Sequence, residues 1–147
     1  MYQHILAAVD IHLDGHDNGQ AILARAHQLA QRFSAQLSVL HVVEYLPVDP
    51  AGDALLTTPV DLSRERAVHA EKRLHEWCAT LGIPAGRARV AVGSITAEIL
   101  RAAQDHQADL IVVGHHPRRG LAALFNHTEE GVVSRAPCDV LAVRLNP

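Results

Sequence analysis

Residues 110–116 read Leu110-Ile111-Val112-Val113-Gly114-His115-His116, four large aliphatics in succession followed by a glycine and two histidines. An apolar run this short, closed by glycine and without a polar face, reads as a strand covered on both sides rather than as a helix. Residues 5–9, 37–43, 90–92 and 140–143 have the same character. Between these runs the period changes. Ile22, Ala26, Leu29 and Phe33 share one helical stripe, while Arg25, Gln28 and Arg32 lie off it. Ala67, Ala70, Leu74, Trp77 and Leu81 repeat the pattern, with Thr58 as N-cap, Pro59 in the first turn, Gly82 at the stop and Pro84 beyond. A third helix starts near Ser94 and carries Ile95, Ile99, Ala102 and His106 on its stripe, and a fourth starts at Thr128. Strands and helices in strict alternation predict an α/β fold, an open five-stranded parallel sheet with helices on both faces. Residues 45–59 hold three prolines and Gly52 without a period, which marks a long surface loop.

The chain's 147 residues suit one domain, residues 1–147. Its 48% apolar and 20% charged content is that of a globular protein and excludes disorder. Thirteen Lys and Arg against sixteen Asp and Glu leave a net charge of -3, so nucleic acid is not an expected partner. Cys78 and Cys138 lack the spacing of a zinc or dithiol site and read as free thiols. The first apolar run, residues 5–9, is far too short for a signal peptide core or a membrane span, so a cytoplasmic location is expected. The aromatics Tyr2, Phe33, Tyr45, Trp77 and Phe125 are too few for a stacking platform, which leaves an aliphatic core.

In open parallel sheets ligands bind beyond the carboxyl ends of the strands, where the strand order reverses. That nominates the loops over residues 10–18, 44–59 and 114–127. The last of these has Gly114 at the strand end, the basic pair Arg118-Arg119 beside Gly120, and a helix start at Thr128. A strand, a glycine-containing loop and a helix N-terminus together suggest phosphate.

The segment Ile111-Val112-Val113-Gly114-His115-His116 and the ending Ser134-Arg135-Ala136-Pro137-Cys138-Asp139-Val140-Leu141-Ala142-Val143 resemble the universal stress protein family. So do the opening His4-Ile5-Leu6-Ala7-Ala8-Val9-Asp10, the strand Leu40-His41-Val42 and the position of Gly93, over essentially the whole chain. The resemblance implies a sheet ordered 3-2-1-4-5, of the adenine nucleotide alpha hydrolase-like type. It also implies a homodimer paired through the last strands and a role in stress response.

Nucleotide-binding members of that family carry Gly, two residues, Gly, nine residues, then Gly followed by Ser or Thr. The corresponding residues here are Gly114, Pro117, His127 and Thr128. Pro117 has no N–H to give a phosphate, His127 adds bulk, and Glu129 and Glu130 bring charge that repels one. The adjacent histidines of Gly114-His115-His116 resemble the UspA-like branch, which generally lacks the nucleotide motif, so no ATP or other cofactor is expected. The alternative is an ATP- or AMP-binding switch using Asp10, Val42, Val113, Gly114, Arg118 and Thr128, with Arg119 helping to neutralise phosphate.

Eleven histidines occur, and His12, His16, His115, His116 and His127 fall on the expected carboxyl edge, with Asp14 among them. Imidazoles there suit a transition metal or a pH response, although neighbours such as His115 and His116 do not readily aim at one ion; no resident metal is expected. No GxSxG elbow, intact Walker loop or HExxH pair is present, Ser134 has no adjacent base, and Glu129 and Glu130 project about 100° apart on a helix. An enzyme is not expected. A hydrolase, if one existed, would be a slow ATPase using Asp10 and Thr128.

Overall fold

The computed structural model describes residues 1–11, 18–44, 59–115 and 128–145, with backbone alone at 59–61 and 128–130. The elements are β1 (His4–Ala8), α1 (Gly19–Phe33), β2 (Gln36–Val43), α2 (Pro59–Thr80), a short 3-10 turn (Ala85–Arg87), β3 (Ala88–Val92), α3 (Ile95–Asp105), β4 (Leu110–His115), α4 (Thr128–Arg135) and β5 (Asp139–Arg144). All neighbouring strands are parallel, and the sheet order is β3-β2-β1-β4-β5, as expected.

Strand alternation divides the apolar residues between two cores. Ile5, Ala7, Val39, Val43, Leu110 and Val112 face α1 and α2, where Ile22, Leu23, Ala26, Leu74, Trp77 and Cys78 close over them. Leu6, Leu40, Val42, Ile111 and Val113 face the other way, against Ile99, Ala102, Ala103 and Val132 of α3 and α4. This arrangement explains the uninterrupted apolar runs of the central strands, since both pleat faces are covered. The edges differ from expectation. β3 is at most partly buried, and β5 fully buries only Val143 while exposing Ala142. An edge strand borders one neighbour and lies at the margin of the covering helices, so an apolar run does not guarantee two covered faces.

The helices start and stop for local reasons. Pro59 opens α2 in the first helical position as read, while Thr58 lies outside the described residues. Gly82 ends it at φ +71°, a left-handed conformation that costs glycine no Cβ clash, and the Ile83 N–H returns to the Cys78 carbonyl at 2.9 Å. In α1 the buried stripe is Ile22, Leu23, Ala26 and Ala30; Leu29 is half-buried and Phe33 is exposed. His106 is a correction. It is not on the apolar stripe of α3 but exposed at its C-cap, because the helix ends at Asp105.

Connections from β1 run through α1 toward β2, and those from β4 run through α4 toward β5 on the opposite side. The carboxyl ends of β1 and β4 therefore lie side by side while α1 and α4, the helices that follow them, cover opposite faces of the sheet, the place where open α/β sheets bind ligands.

Candidate functional site

The ladder of β1 continues past its last strand residue, with the Val9 N–H donating to the Leu40 carbonyl at 2.9 Å. His41 then donates from Nδ1 to the Val9 carbonyl at 2.8 Å. This bond fixes both the ring and the chain at the point where Asp10, half-buried, leaves the sheet. The next residue, Ile11, is buried in the α1 and α2 core.

Across the switch point, β4 presents Val113, Gly114 and His115. Val113 and Val42 are both buried and belong to the same core under α3 and α4, so they form one apolar floor. Gly114 points the other way. A Cβ there would stand 2.7 Å from both Ile22 Cδ1 and Leu145 Cδ1, closer than side-chain atoms approach. Packing against α1 and Leu145 thus favours glycine at this position, apart from any ligand. His115 is half-buried, and its carbonyl accepts the Leu145 N–H at 2.8 Å.

Two contributors to this edge escape a reading by composition and spacing. Gly19 starts α1, where an added Cβ would overlap the Asp10 carbonyl oxygen and approach the Trp77 ring to 2.9 Å. The entry of α1 is therefore pressed directly onto the end of β1. His41 is the other, its polar ring half-buried between Leu40 and Val42 of β2. A lone imidazole inside a strand run, and a glycine opening a helix, were the available signals.

Of the residues expected at the site, the structure brings Asp10, Val42, Val113, Gly114 and His115 to one edge, and Thr128 opens α4. Arg118 lies outside the described residues, as do Pro117, Arg119 and His127. His12, Asp14, His16 and His116 also lie outside them, and among the described residues no group of three or more His, Cys, Asp or Glu side chains could hold a metal ion. Among those residues, too, no helix is long and apolar enough to cross a membrane. Beside the apolar Val42 and Val113, the described edge thus offers the carboxylate of Asp10 and two imidazoles, His41 and His115, with Glu44 just past the end of β2. Such a surface can accept and donate hydrogen bonds.

The universal stress protein family matches residues 1–144. Universal stress protein A homolog 1 of Coxiella burnetii is 34% identical over 142 residues, covering 97% of this chain and 96% of that protein. Among solved structures, the universal stress protein UspA of Lactobacillus plantarum superposes with a TM-score of 0.76 at 28% identity, over 97% of this chain and 98% of that one. A universal stress protein solved in complex with cAMP has a TM-score of 0.63 at 24% identity, over 97% and 96% of the two chains, which shows the shared fold.

Proposed function

The chain belongs to the universal stress protein family, and from that premise we propose that it is a regulatory or protective stress-response protein that works without bound ATP. The observation that carries the reading is the segment from Gly114 to Thr128, in which Pro117 and His127 stand where nucleotide-binding members have glycine. A phosphate cradle needs backbone N–H groups at close approach; proline supplies none and histidine obstructs them. Gly114, the retained glycine, already has a packing reason to be glycine, so its presence is not evidence of a nucleotide.

The alternative, an ATP- or AMP-binding switch, is favoured by one observation. Asp10 lies at the same sheet edge as the apolar floor of Val42 and Val113, a carboxylate beside an apolar surface that would suit ribose and adenine. Titration calorimetry of ATP with magnesium into nucleotide-stripped protein separates the two. No saturable heat is expected, and micromolar binding would overturn the proposal. Replacing Pro117→Gly and His127→Gly together should confer ATP affinity that the parent lacks.

The same reading includes no catalytic activity, a cytoplasmic location and a homodimer through β5. What supports the dimer is that β5 pairs with β4 at the edge of the sheet and leaves Val140 and Leu141 only half-buried. An edge of this kind invites strand addition unless it is covered. Light scattering should give twice the chain mass, and Leu141→Lys should shift it toward the monomer.

A further inference from the structure

At the opposite end of the sheet, on the face covered by α3, lies a cavity of about 130 Å³. Its polar lining consists of Ser38, Arg87, Arg89 and His106, set against Leu6 and Ala102, and among the described residues no carboxylate lines it. The placement follows from the fold. Ser38 pairs in register with Leu6, and Arg89 with Leu40. Arg89 is exposed on edge strand β3, while α3 packs over β1 and β2. The chain leaves α3 through Gln107 at φ 53°, an uncommon conformation for a residue with a Cβ, and the Ala108 N–H closes the turn onto the Ala103 carbonyl at 2.9 Å. That turn sets the His106 ring 5.4 Å from the His4 ring. His4 Nε2 is in turn 2.8 Å from Ser38 Oγ.

We propose that this corner is a binding site for a small tetrahedral oxyanion of the phosphate class, held by Arg87, Arg89 and His106 over the Ser38 hydroxyl. The cavity is several times the roughly 30 Å³ of a liquid water molecule, which suits one phosphate group. Guanidinium forks match phosphate oxygens, and Arg87, whose Nη1 donates to Gln36 Oε1 at 3.2 Å, keeps further donors. Ser38 is almost fully buried, and a hydroxyl can both donate and accept. With both ring nitrogens of His4 protonated, Nε2 donates to Ser38 Oγ and the hydroxyl hydrogen turns into the cavity.

The electrostatics of His4 agree. Burial is the main influence holding its pKa below the ordinary histidine value, followed by the positive charges of His106 and Arg87, with Asp109 and a bond to the His106 backbone opposing them. An anion bound here would relieve that repulsion. The site is independent of the reading of the carboxyl edge given above.

The test is a nitrogen-15 NMR titration with inorganic phosphate at low ionic strength. Saturable shifts at Ser38, Gly86, Arg89 and His106 are expected, and Arg87→Gln with Arg89→Gln should weaken binding by about tenfold or more. Both arginines are exposed, so the double variant should fold. Arg25→Gln with Arg101→Gln, on exposed helix surfaces elsewhere, should leave the affinity unchanged. Sulfate, dianionic from pH 8 to 6, should bind more tightly at pH 6. Phenyl phosphate binding more tightly than inorganic phosphate would assign a monoester, and the reverse the free ion. Absence of saturable shifts at this corner, or equal affinity in the Arg87 and Arg89 double variant, would overturn the proposal.

Discussion

The amino edge of the sheet is finished by a carboxylate, and the carboxyl edge by an imidazole and by missing side chains. At the amino edge, Asp109 accepts the backbone N–H of Gln3 at 2.8 Å and of His4 at 3.0 Å, tying the start of β1 to the residue before β4. At the carboxyl edge, His41 donates to the Val9 carbonyl, and Gly19 and Gly114 admit neighbours where any side chain would collide. Parallel strands leave N–H groups at one end and carbonyls at the other, so the first end recruits acceptors and the second donors. The amino edge is therefore tolerant and tuned by charge, while the carboxyl edge is intolerant and set by volume.

The sharpest way to break that contrast is to add volume at the carboxyl edge. Gly19→Ala should be the most damaging, costing about 3 kcal/mol or more, since relief requires α1 to move away from the rigid Asp10 carbonyl and the Trp77 ring. Gly114→Ala meets two methyl groups that can rotate partly aside, so about 2–3 kcal/mol is expected. Urea unfolding monitored by circular dichroism would rank them. A cost below 1 kcal/mol at Gly19 would show that the edge is not set by volume.

The amino edge should respond less. Asp109→Ala leaves the N–H groups of Gln3 and His4 to water and should cost about 1–2 kcal/mol, with Asn recovering part of the loss. Burial alone would raise the Asp109 pKa, but the donors from Gln3 and His4 outweigh it and hold the carboxyl below the usual carboxylate range. A lowered folded-state pKa means that the unfolded chain binds more protons. The stabilisation is therefore present above about pH 4 and lost as pH falls below it. Stability of the wild type and Asp109→Asn between pH 5 and pH 3 should converge; parallel curves would remove the charge from the account.

The same contrast explains what could be read in advance. Continuous apolar runs, helical stripes and the Pro59 and Gly82 punctuation are local signals, so strands and helices were legible, while the sheet order came from the family resemblance. Expecting every strand to be covered on both faces failed at β3 and β5, because coverage depends on where a strand sits in the sheet. His106 matched the helical period of α3, yet the helix stops before it. The Gly19 contact joins residues that no sequence period connects. Asp10, Val42, Val113 and Gly114 were legible as an edge because every parallel strand ends there, whereas the packing demand on Gly114 comes from Ile22 and Leu145, distant in the chain.

The smallest effect expected is at His4, on the amino edge. Its pKa is lowered chiefly by burial and then by His106 and Arg87, so the folded chain takes up a proton less readily than the unfolded one. By linkage, this contribution to stability is present above about pH 6.5 and is lost as pH falls through the folded-state value. His4→Gln keeps a partner for Ser38 but cannot titrate, so the slope of stability against pH should flatten between about pH 7 and pH 5. If the corner binds an oxyanion, phosphate or sulfate should also flatten the wild-type slope, because a bound anion favours protonated His4, and should do little to the variant. An acid slope equal in chloride and sulfate buffers, with His4→Gln still flattening it, would leave His4 as a structural titrating group and separate the stability argument from the binding one.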